Sequence, residues 1–102
     1  MADEIYTMGV WQVKQGKEDA FASEWKEFAA RSMRDMESIA DARLLRDIKK
    51  QNRFASFGPW KSTEEIEKWR ETPGFKKFME RAKEMCEEAR IGTFEVVARV
   101  KK

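Results

Sequence analysis

Three kinds of side chain in this sequence could act on a small organic molecule. Trp69 offers an indole that can stack on a flat aromatic ring if a cavity lies beside it. Tyr6, the only tyrosine, offers a phenol that can orient a hydroxyl. Arg43, Arg46, Asp47 and Arg53 fall in a stretch that reads as a hairpin, where strand alternation would turn one or two of them inward. A guanidinium placed that way holds an anionic or enolate oxygen, and Arg46 is the candidate for that contact. Each residue also has a plainer reading. Trp69 and Ile66 would cover a sheet from a helix, Tyr6 would pack at a strand start, and the arginines would form ion pairs at a strand edge. No catalytic residue and no metal ligand is assigned. Cys86 has no histidine or helix start beside it to lower its pKa, so it reads as a small buried hydrophobe.

Histidine is absent, which removes Ser-His-Asp and Cys-His nucleophilic sites, imidazole general bases and the usual histidine-containing zinc sites. A lone cysteine can build neither an internal disulfide nor a thiolate cage, and it fits a reducing compartment. The 21 Lys and Arg nearly balance the 19 Asp and Glu and are mixed along the chain, unlike the basic stretch of a phosphate-backbone binder. No apolar run approaches a membrane span, and Met1 to Glu4 lacks a basic, apolar signal start, so a cytoplasmic protein is expected. With 102 residues, 41% of them hydrophobic, residues 1–102 are expected to form a single domain with a real core.

The elements that must position these residues follow from changes of period. Ile5 to Val13 reads as a strand with apolar groups on both faces. After Gly16, the spacing of Phe21, Trp25, Phe28 and Ser32 predicts a helix from about Lys17 to Ser38. Ala42 to Ile48 and Arg53 to Trp60 read as an antiparallel hairpin around a polar turn. Ser62-Thr63-Glu64-Glu65 has the form of a capping box, predicting a short helix to Arg70. Thr72-Pro73 opens another, whose stripe of Phe75, Phe78, Met79, Ala82, Met85, Cys86 and Ala89 is expected to run to Gly92. Thr93 to Val100 reads as the last strand.

This βαββαβ order predicts an α+β, ferredoxin-like fold, an antiparallel sheet with helices on one face. The other face would be open yet apolar, which marks an interface or a ligand site. RNA-recognition domains share this topology, and Arg53-Phe54-Ala55-Ser56-Phe57 superficially resembles one of their strand motifs. The long first helix, the low net charge and Pro59 oppose that reading, so no nucleic-acid partner is expected.

From the first strand to the last, the pattern resembles the antibiotic biosynthesis monooxygenase domain family, whose members dimerise as an α+β barrel. The resemblance is carried by Val10 to Glu18 leading to Phe21, Trp25 and Phe28, by Leu45-Arg46-Asp47, by Trp60 to Glu64, and by Trp69 with Pro73-Gly74-Phe75. It implies a homodimer with the sheets face to face and a cavity between sheet and helices. It also implies cofactor-independent monooxygenation of a phenol or quinol-type aromatic by dioxygen, with Trp69 lining the pocket and Tyr6 or Arg46 as polar contacts. The haem-degrading members carry an Asn and a His where this chain has Gly9 and Met79. Phenol-oxidising members place Asn and Tyr near the Trp, and neither flanks Trp69. That departure motivates the alternative of a non-catalytic, ligand-binding or structural dimer.

Overall fold

The computed structural model describes residues 4–102; residues 1–3, part of the stretch read for a signal start, lie outside the described residues. The chain order is β1 (Ile5–Val13), α1 (Glu18–Asp35), β2 (Arg43–Arg46), β3 (Arg53–Trp60), α2 (Thr63–Arg70), α3 (Pro73–Met85) and β4 (Cys86–Glu95). The strands form one antiparallel sheet in the order β2-β3-β1-β4. Alternation sorts the residues: Trp11 and Val13 of β1 and Phe54, Ser56 and Trp60 of β3 are buried under the helices. Their neighbours Tyr6, Met8, Val10 and Phe57 lie on the opposite face.

Local chemistry explains where the elements begin and end. Gly16 takes a positive φ of 91°, which turns the chain from β1 into α1, and its N–H donates to the Glu18 carboxylate at 2.8 Å. The first helix stops at Asp35, short of the expected Ser38. Met36 is already extended, and the Ser38 N–H donates to the Glu65 carboxylate at 2.9 Å while Ile39 joins Trp60 and Ile66 in a core cluster. Glu65 therefore does not close the expected capping box: Ser62 accepts from the Glu65 N–H, but the carboxylate serves the loop after α1. The β2 strand is shorter than the sequence suggests because the Asp47 carboxylate accepts from the N–H groups of Lys49 and Lys50 and opens the turn. Thr72 caps α3 by accepting from the Phe75 N–H, with Pro73 in its first turn.

The apolar stripe of α3 reads as helix to Gly92, yet the helix ends at Met85 and β4 starts at Cys86, so Gly92 sits in mid-strand opposite Met8. Glu87, Glu88, Ala89 and Arg90 are fair helix formers. Pairing prevails because β1 would otherwise leave a long row of unpaired backbone groups, whereas β4 matches it from Ile5↔Glu95 to Val13↔Cys86. The expected strand over 93–100 is likewise displaced, and residues 96–100 follow β4 outside the sheet.

The core has two parts. Trp11, Val13, Phe21, Phe28, Phe54, Phe78, Ala82, Met85 and Cys86 form one cluster; Ile39, Trp60 and Ile66 form the other. Trp69 packs against both, at the seam where the cavity lies. Among the described residues no helix is long and apolar enough to cross a membrane.

Candidate functional site

The sheet provides the floor of the cavity. Thr7 and Gly9 of β1 and Ser56 and Gly58 of β3 line it, in the register Thr7↔Gly58 and Gly9↔Ser56. Both glycines stand where a side chain has no room. A Cβ on Gly9 would lie 2.6 Å from the Trp11 ring, and one on Gly58 would lie 2.8 Å from the Asp41 carbonyl oxygen. The helices supply aromatic walls: Trp25 and Phe28 from α1, Trp69 from α2, Phe75, Phe78 and Met79 from α3. Phe28 and Phe78 stack face to face with centroids 4.2 Å apart, and Trp69 meets Phe75 edge-on at 4.8 Å. The free space is about 60 Å³. That is well below the roughly 150 Å³ apolar cavity that accepts benzene, so the walls must part to admit a ring.

Three of the four indoles rest on hydroxyls. Trp11 Nε1–H donates to Ser56 Oγ at 3.0 Å, Trp60 Nε1–H to Thr7 Oγ1 at 2.9 Å, and Trp69 Nε1–H to Ser32 Oγ at 2.9 Å. Ser32 in turn donates to the Phe28 carbonyl at 2.8 Å, which fixes its hydroxyl and hence the plane of Trp69. Trp25 Nε1–H makes no hydrogen bond among the described residues.

Of the residues singled out from sequence, Trp69 alone lines this cavity. Tyr6 lies on the open face of the sheet, donates to the Glu4 carboxylate at 3.2 Å and packs near Phe57. Arg46, at the end of β2, sits 4.9 Å above the Phe54 ring and reaches Asp19 at 3.8 Å. The fold therefore does not bring the three together within one chain. Sequence reasoning missed Thr7, Ser32 and Ser56, whose small hydroxyls carry no motif, and it placed Trp25 only in the apolar stripe of the first helix. The signal that could have found them is the count of four indoles, since each buried N–H needs an acceptor.

Cys86 is buried at the start of β4, and burial pushes its thiol from 9.0 up to about 11, against a smaller lowering effect of Lys14. The raised value favours the neutral thiol in the folded state. Its contribution to stability is complete below pH 9.0 and is lost as pH rises toward about 11. Alkylation by iodoacetamide at pH 8 is expected to be far slower than for the unfolded chain and to accelerate as pH approaches that value. Equal rates for folded and unfolded protein at pH 8 would contradict the burial.

Residues 5–81 match the family described as antibiotic biosynthesis monooxygenase. The chain belongs to this family. Among solved structures, it is similar to SnoaB, a cofactor-independent oxygenase from Streptomyces nogalater, at 21% identity and a TM-score of 0.86, covering 99% of this chain and 100% of that one. It is also similar to a conserved protein from Methanosarcina mazei, at 17% identity and a TM-score of 0.81, covering 91% of this chain and 92% of that one. A Pseudomonas aeruginosa protein matches at 17% identity and a TM-score of 0.80, covering 96% and 98%. At these identities the structural likeness establishes the shared ferredoxin-like fold. No curated protein matches the chain significantly.

Proposed function

We propose that this protein is a cofactor-independent monooxygenase of an aromatic phenol, quinol or anthrone-type molecule, held between sheet and helices against Trp69. The observation that carries this reading is the aromatic cavity at the seam of the two core clusters in a member of this family. SnoaB, which shares the fold, is a cofactor-independent oxygenase. In such chemistry the deprotonated substrate supplies the electrons. An activated methylene carbon loses two hydrogens and gains one oxygen atom, and the second oxygen leaves as water. The protein's part is to orient the ring, exclude water and stabilise the developing enolate. Met79, with its flexible thioether chain, is the most adaptable wall and gives way as a ring enters.

The same reading includes a homodimer. Met8, Val10, Leu45 and Phe94 are 38–53% exposed on the face of the sheet turned away from the helices. A second copy packed sheet to sheet would cover them. Phe94→Glu places a charge in that face and is expected to halve the molar mass in light scattering. An unchanged mass, whether monomeric or dimeric in both proteins, would contradict this interface.

The competing reading, a dimer without chemistry, rests on the small free volume and on a cavity lining that holds no Arg or Tyr. An oxygen electrode decides between the two. With chelator present, an anthrone or hydroquinone from a substrate panel is expected to consume oxygen well above its autoxidation rate. A full panel that never exceeds that background would leave the non-catalytic dimer.

A further inference from the structure

We infer that the hydroxyls of Thr7 and Ser56 form a two-donor site on the cavity floor for one acceptor oxygen of the ligand, a ketone carbonyl or an enolate or phenolate oxygen. The inference rests on the reading above that the cavity takes a ligand. It adds which end of that ligand faces the sheet and which residues select it.

The register makes Thr7 and Ser56 diagonal neighbours on adjacent strands, on the side facing the helices. Diagonal neighbours of this kind lie about 7–8 Å apart at Cα, and each side-chain oxygen is held in place by its indole. The other two corners of this patch are Gly9 and Gly58, which carry no side chain of their own and lie under the Trp11 indole and under the Asp41 carbonyl and Ile39. Each hydroxyl already accepts from an indole, Thr7 from Trp60 and Ser56 from Trp11. Among the described residues neither hydroxyl donates to a protein acceptor. Each therefore has its proton left to give, and accepting from the indole polarises that O–H and strengthens it as a donor.

Ser32 supplies the contrast. It also accepts from an indole, but its proton is committed to the Phe28 carbonyl, so it positions Trp69 and has nothing left to donate. Among the described residues no charged side chain lines the cavity. Two polarised O–H groups in an otherwise apolar space favour a ligand oxygen that accepts, and strengthen as negative charge develops on it.

The test compares acetophenone with ethylbenzene, one-ring probes that differ by a carbonyl oxygen, titrated while observing the indole N–H signals by NMR. Removing a hydroxyl alone would orphan its indole, so each is removed in a background without that indole. Trp60→Phe is compared with Trp60→Phe/Thr7→Val, and Trp11→Phe with Trp11→Phe/Ser56→Ala. Loss of either hydroxyl is expected to weaken acetophenone by about threefold to tenfold and leave ethylbenzene within about twofold. Thr7→Ser in the Trp60→Phe background is expected to retain the ketone affinity. If the two probes weaken alike, or neither weakens, the donor site is wrong while the ligand-binding cavity stands. If neither probe binds the unmodified protein, the cavity reading fails and the donor site with it. Should the Trp11 variants not fold, the Thr7 pair alone decides.

Discussion

Trp69→Ala is expected to abolish substrate-dependent oxygen uptake and to lower stability by about 3 kcal/mol, at the low end of the range for removing a large aromatic because Trp69 is only partly buried. Its indole joins both core clusters, 5.6 Å from Phe28 in a stacked arrangement, 5.0 Å from Trp60 and 4.8 Å from Phe75. Alanine leaves the cavity without one wall and the two clusters without their link. Trp69→Phe separates the roles. It keeps much of the apolar contact, so most of the stability is retained, but the ring loses its tether to Ser32 and is free to turn. Activity is then expected to fall more than stability. Circular dichroism fixes the folded fraction at the assay temperature. Full oxygen uptake by folded Trp69→Ala would remove Trp69 from the site.

Gly9→Ala is expected to destabilise the protein by about 2–5 kcal/mol, a large effect for one methyl group. The added Cβ would lie 2.6–2.8 Å from three atoms of the Trp11 indole. That ring has nowhere to retreat: it is 3% exposed, packs against Phe21 and Phe78, and donates to Ser56. The substitution combines overpacking with a strained or broken buried hydrogen bond. For a chain of this size, a loss on that scale lowers the thermal midpoint by roughly 10 °C or more. Gly74→Ala in α3 is the control, since a Cβ there meets nothing within 4 Å, and it is expected to be neutral or mildly stabilising. A Gly9→Ala midpoint equal to that of the control would show that Trp11 is not fixed over Gly9. The same crowding leaves position 9 no room for a larger side chain.

Much of the fold is legible because it rests on local signals. The bounds of β1 and β3 follow from β-formers between polar turns, and Ser62 and Thr72-Pro73 mark their helix starts through capping chemistry. What the sequence misplaces is governed by distant partners. Residues 86–92 carry a helical stripe and become strand only because β1 needs an outer neighbour. Glu65 forgoes its own helix end because the Ser38 N–H, 27 positions away, has greater need of it. The site divides along the same line. Trp69 stands out by type and spacing. Thr7, Ser32 and Ser56 become meaningful only when the register and the indole hydrogen bonds are known. Tyr6 is kept from the cavity by taking the open face of the sheet, whereas Arg46, on the helix side, is drawn off over Phe54 and toward Asp19.

On the proposed function, the protein directs dioxygen onto a bound aromatic without a cofactor. Turnover of an anthrone under heavy-isotope dioxygen, in chelator and with mass analysis of the product, tests it most directly. One labelled oxygen atom in the product, absent when the label is in water instead and absent with Trp69→Ala, is the predicted result. Product that takes its oxygen from water, or labelling equal to the protein-free reaction, would contradict it.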